Sequence, residues 1–138
     1  MSFRTAQVIA LLPGITARMI DRWVGAGAIT PSVQSPANSG IDRIFSFRDV
    51  VEVVAVARLR ALGVPLAAMR PALTRLSKVE VDDPDWLEDE LGYYLVCFSG
   101  GDVLVSRPSE IGEALGERRG QEVILLDLTD VISVARAV

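Results

Sequence analysis

Ile15-Thr16-Ala17-Arg18-Met19-Ile20-Asp21-Arg22-Trp23 is the stretch from which the rest of the chain can be read. Thr16 stands where an N-cap hydroxyl is wanted, and Met19, Ile20 and Trp23 recur at intervals of three and four, the spacing of a helix with one apolar face. That spacing leaves Ala17, Arg18, Asp21 and Arg22 on the open side, and the turn Gly25-Ala26-Gly27 closes the helix. Upstream, residues 2–12 place Val8, Ile9, Leu11 and Leu12 at mixed helical spacing behind Thr5, a second N-cap candidate, and Pro13-Gly14 ends that segment. Two short helices joined by a tight, glycine-containing turn form a helix-turn-helix.

Working outward, residues 29–45 carry Pro31, Pro36 and Gly40 among Ser, Asn and Gln, which argues against a helix. The stretch is expected to form a ribbon, or wing, flanked by short strands at Ile29-Thr30 and Arg43-Ile44-Phe45. Ser46-Phe47-Arg48-Asp49 is a capping pattern, and the valine-rich run behind it reads as a buried helix as far as Gly63. Pro65 suits the first turn of a further helix with Leu66, Met69, Leu73 and Leu76 on one face, and Pro71 sits awkwardly within it.

Composition changes at residues 82–90, where six of nine positions are carboxylates. Beyond them, residues 93–98 and 103–106 are β-prone runs joined through Gly100-Gly101, a dipeptide suited to a two-residue hairpin turn. A helix over residues 109–119, a buried strand over 122–128 and a final helix capped by Thr129, with Val131, Val134, Ala135 and Val138 on one side, complete the pattern. The fold class expected is α+β: a winged helix-turn-helix over residues 1–80, an acidic linker over 81–91 and a small β-β-α-β-α lobe over 92–138.

Charge divides along the same line. The chain of 138 residues holds 14 basic and 18 acidic side chains, a net charge of −4. Residues 1–80 hold ten of the basic and five of the acidic groups, or +5, leaving four against thirteen, or −9, for 81–138. A cationic half can displace counterions from a duplex, whereas an acidic half is repelled by one. The absence of histidine removes imidazole acid–base catalysis and the usual nucleophilic triads, and a lone Cys97 cannot build a disulfide or a zinc shell. Within an apolar strand that thiol reads as a small buried hydrophobe. The acidic run lacks the spaced ligands and glycine of a calcium loop, and no apolar run is long enough to cross a bilayer. These readings imply no enzyme, no cofactor, no metal and a cytoplasmic setting.

Gly14-Ile15-Thr16, Arg18, Ile20, Trp23 and Gly27-Ala28-Ile29, followed by Arg43-Ile44-Phe45-Ser46 and Asp49-Val50, resemble the first helices and wing junction of the MerR family of winged-helix regulators. The resemblance covers about residues 3–77. It implies that Thr16, Arg18 and Arg22 lie on a major-groove helix and that Arg43 meets the duplex from the wing. Read from the residues, Arg18 can grip guanine or phosphate bidentately, and Arg43 on a ribbon suits phosphate. The expected DNA-binding set is Thr16, Ala17, Arg18, Asp21, Arg22, Arg43 and Arg48. The long dimerising helix of typical members is missing after Leu76, so a homodimer would form through the C-terminal lobe, whose apolar strands 93–98 and 122–128 could leave an edge free.

The function expected is sequence-specific double-stranded DNA binding in transcriptional regulation. The alternatives are a DNA-binding antitoxin, with the acidic lobe masking a second protein, or an excisionase-like architectural factor.

Overall fold

A computed structural model of the chain describes residues 2–10, 12–29, 44–70, 73 and 93–137. The elements follow in the order β1 (Ser2–Arg4), α1 (Thr5–Ile9), α2 (Ala17–Gly25), β2 (Ile44–Ser46), α3 (Phe47–Ala61), a 3-10 turn (Leu66–Ala68), β3 (Tyr94–Phe98) and β4 (Val103–Ser106). A second 3-10 turn (Pro108–Glu110), α4 (Ile111–Glu117), β5 (Val123–Asp127) and α5 (Leu128–Arg136) complete the chain, which is a mixed helix-and-strand fold of the α+β class. The expected linker, residues 81–91, lies outside the described residues.

α3 is the spine. Ser46 Oγ accepts from the Asp49 N–H at 3.1 Å while the Asp49 carboxylate accepts from the Ser46 N–H at 2.8 Å, a reciprocal cap that fixes where the helix begins. Its valines favour a strand by propensity, but Val50, Val51, Val53, Val54, Val56 and Leu59 are all fully buried, and tertiary packing decides the outcome. Each such side chain contributes roughly 1.5–3 kcal/mol through burial. At its other end Gly63, at φ +89°, lets the Val64 N–H reach the Leu59 carbonyl (3.0 Å) and the Gly63 N–H reach Arg60 (3.0 Å), with Leu59 and Val64 both buried. Pro65 stands immediately before the following 3-10 turn, with Met69 and Leu73 buried behind it.

One apolar core runs from Phe3 through Ile20, Trp23 and Phe45 and along α3 to Leu95, Leu126, Val131, Ile132 and Ala135. The C-terminal elements therefore share the core of the N-terminal ones, with α5 packed along α3 and Arg58 Nη2 2.9 Å from Asp130 Oδ2 across their exposed rim. The second sheet has strand order β4-β3-β5, antiparallel throughout. One face joins the common core; on the other, Val96 and Phe98 pack beneath Ala114 of α4. Arg118 at the end of α4 lies over the Phe98 ring (4.8 Å) and meets Asp102 at 3.0 Å, pinning helix to hairpin.

Several local expectations are corrected. Thr5 is a buried first-turn residue rather than the cap of α1; the Arg4 N–H instead donates to Gln7 Oε1 at 2.8 Å. β2 takes β1 as its antiparallel partner, with Phe3 opposite Phe45, and Ile29 is buried outside any strand. The rest of the expected wing, residues 30–43, lies outside the described residues. The hairpin is a three-residue loop: Phe98 N–H bonds to Asp102 O, and only Gly101 has positive φ (+103°). The Gly100 N–H donates to Gln121 Oε1 at 2.9 Å, tying the loop to the start of β5. β5 is buried only at Leu126, because α4 leaves the outer part of its other face uncovered. Asp127, two residues before the expected Thr129, caps α5 by accepting from the Thr129 N–H at 2.9 Å.

Candidate nucleic-acid interface

α2 is built as the sequence requires. Thr16 Oγ1 accepts from the Met19 N–H at 3.2 Å, satisfying one of the unpaired amides at the helix start. Ile20 and Trp23 are buried, Met19 is partly so, and the buried side locks the helix into the common core. The exit repeats the device that ends α3. Gly27, at φ +77°, allows Ala28 N–H to Trp23 O (3.0 Å) and Gly27 N–H to Val24 O (3.0 Å), and Ala28 and Trp23 are buried together. A Cβ on Gly27 would also stand 3.3 Å from Arg70 Nη2.

Both ends and one face of α2 are thus fixed, and what it presents outward is fixed with them. Thr16, Arg18 and Arg22 are exposed; Ala17 and Asp21 are partly buried. Arg18 and Arg22 stand four residues apart, one above the other on the same side of the helix. Neither makes a hydrogen bond or ion pair among the described residues. Arg22 also borders a groove of about 320 Å³ between α2 and α3, floored by Met19, Trp23 and Ala57.

The four basic residues of 44–70 behave differently. Arg58 is paired with Asp130, Arg60 Nη1 donates to the Val64 carbonyl at 3.2 Å across the end of its own helix, and Arg70 lies against the Gly27 turn. Arg48, in the first turn of α3, is partly buried and engaged. Its charge bears on Glu52 one turn later. Burial and the neighbouring Asp49 carboxylate push the Glu52 pKa up to about 7, and Arg48 opposes the rise. Arg48 thus has a partner within the molecule, whereas no described residue engages Arg18 or Arg22. Arg43 lies outside the described residues.

The sequence reading overlooked Arg4. Exposed at the end of β1, it stands opposite Ile44, where the chain enters β2 from residues 30–43. The one cue was Phe3, an apolar residue two positions before a helix and matched in size to Phe45, and so short a strand has no pattern of its own. In β3, burial raises the pKa of Cys97, consistent with a thiol that packs rather than reacts. Among the described residues no helix is long and apolar enough to cross a membrane.

No family model matches the chain. Its curated relatives include one protein of Mycobacterium bovis and two from strains of Mycobacterium tuberculosis, each named an uncharacterized HTH-type transcriptional regulator. Each is 36 % identical over 72 residues, a stretch that covers 52 % of this chain and 32 % of the relative. The chain spans about a third of the length of the curated relatives it matches.

Proposed function

We propose that this chain is a sequence-specific double-stranded-DNA-binding transcriptional regulator of the cytoplasm, with a MerR-like winged helix-turn-helix in residues 1–80. In this reading α1 and α2 are the helix pair and α2 enters the major groove. Arg43, within the stretch 29–45 read from sequence as a wing, meets the backbone. Residues 92–138 hold two copies together on a two-fold operator, beyond the acidic stretch 81–91.

The observation that carries the proposal is the pair Arg18 and Arg22: exposed, one turn apart, and mounted on a helix whose caps and buried face leave it no freedom to turn. Two guanidinium forks at that spacing can contact successive base edges or phosphates of one groove wall. The HTH-type names of the relatives support the same reading.

Fluorescence-anisotropy titration against a selected duplex and a scrambled one tests it. Arg18→Ala or Arg22→Ala is expected to weaken the preferred duplex by about 1–3 kcal/mol and to narrow its advantage over the scrambled one. Arg43→Ala is expected to weaken both alike and to lower the salt slope by about one unit. Equal losses on both duplexes from all three substitutions would mean that α2 does not read bases.

A further inference from the structure

We infer that the open edge of β5 is the surface on which a second copy of this chain docks, pairing β5 with its two-fold mate about Leu125 to make one continuous six-stranded sheet. The inference rests on the dimeric reading above and names the surface that reading leaves unspecified.

The hydrogen-bond pattern decides which backbone groups face outward. Ser99 N–H bonds to Glu122 O, and Leu128 N–H bonds to Tyr93 O. In the register Cys97↔Ile124, Leu95↔Leu126, this places the amides of Ile124 and Leu126 toward β3. Those of Val123, Leu125 and Asp127 then point to the other side, where no strand pairs with them among the described residues. An antiparallel mate centred on Leu125 meets all three: Leu125 faces its own copy, and Val123 faces Asp127. No like charges stand directly opposite one another in this register.

The side chains favour the same register. Val96 pairs with Leu104 on one side and with Leu125 on the other, an apolar row crossing the sheet on the face that α4 covers. The row ends at Leu125, which is 43 % exposed. Pairing at Leu125 continues it as Leu104-Val96-Leu125 followed by the same three residues in reverse, and buries the exposed leucine against its mate. The β4 edge offers less. Within that strand the pairing of Phe98 with Asp102 turns only Val103 and Val105 outward, two amides against the three of β5, and their side chains already pack with the core. A two-fold axis through the β5 pairing runs perpendicular to the sheet. Both copies of α3 and α5 then lie on one face of the joined sheet.

Sedimentation equilibrium of the full chain tests the inference, with circular dichroism to confirm folding. The wild type is expected to reach the mass of two copies. Leu125→Lys and Leu125→Pro should each raise the dimer dissociation constant at least about tenfold, the proline because it removes an outward N–H while leaving the β3 ladder whole. Leu62→Lys, an exposed leucine beyond α3, should not change it. In wild-type hydrogen exchange the Leu125 amide should gain protection with concentration, whereas Ile124 and Leu126 stay protected throughout. A wild type of single-copy mass at every concentration, growth beyond two copies, or a Leu125 amide that exchanges freely at all concentrations would overturn the inference. Duplex titration separates it from the functional proposal: a dimer through β5 that ignores DNA removes only the regulator reading, and a DNA-binding protein with β5 open removes only this one.

Discussion

α2 and α5 are helices of the same length, nine residues each, and both are capped at their N-terminus by a side-chain oxygen, Thr16 in one and Asp127 in the other. Both bury one face in the common core. They differ in what the outer face does. α5 gives its exposed Asp130 to Arg58 of α3 and keeps one lone exposed cation, Arg136, in its last turn. α2 carries Arg18 and Arg22 outward and unengaged by any described residue. The proposed DNA-binding role rests on two such charges standing one turn apart on a helix that its cap and buried face hold in place.

If α5 is chiefly structural and α2 chiefly a presenting surface, substitutions should sort accordingly. The largest stability effect is expected from Ile132→Ala on the buried side of α5. Ile132 is fully buried where α5 and α3 share their core, and its truncation should cost about 2–5 kcal/mol. Calorimetry should show one endotherm moving as a whole. Two endotherms, of which only one shifts, would break the comparison by showing that the C-terminal elements fold on their own.

Next in size is Glu52→Gln. The Glu52 pKa in the folded chain, about 7, lies above its ordinary value near 4.5. The folded state therefore keeps its proton where the unfolded state has lost it, and the contribution is complete below pH 4.5 and lost as pH rises toward 7. Glutamine in its place should raise stability at pH 8 by roughly 1–3 kcal/mol and have little effect at pH 4. Denaturant melts at the two pH values check this, and an equal effect at both would show that ionisation of Glu52 is not what costs stability. The smallest effect belongs to Arg58→Ala, since its ion pair with Asp130 is about half exposed on both sides. The loss should stay within about 1 kcal/mol and shrink further in high salt.

The comparison also explains what could be read from sequence. The caps and stops of α2 and α3 are local devices, a hydroxyl three residues before the amide it accepts from and a glycine at the left-handed position, so Thr16, Ser46, Gly27 and Gly63 announced themselves. Exposure of Arg18 and Arg22 followed from helical period alone. What needed the folded chain was non-local. The partner of β2 is a three-residue strand at the other end of the N-terminal segment, and nothing in Ser2-Phe3-Arg4 specifies it. Thr129 and Asp127 both suit an N-cap, and the choice depends on where β5 releases the chain. Ile132 escaped notice although Leu128, Val131, Ile132 and Ala135, the buried side of α5, recur at helical spacing, because starting the helix at Thr129 left Leu128 out of the pattern. The engagement of Arg58 with Asp130, across most of the sequence, was hidden because no pattern within either helix states it.

The central claim is that the outward guanidinium groups of α2 bind duplex DNA. It is tested most directly by titrating the full chain with a random-sequence duplex pool in dilute and in moderate salt, beside the Arg18→Ala, Arg22→Ala double variant. The expected result is binding that weakens steeply with salt and is lost in the variant, whose melting temperature matches that of the wild type. Absence of binding to any duplex in dilute salt, or a double variant that binds as well as the wild type, would contradict it.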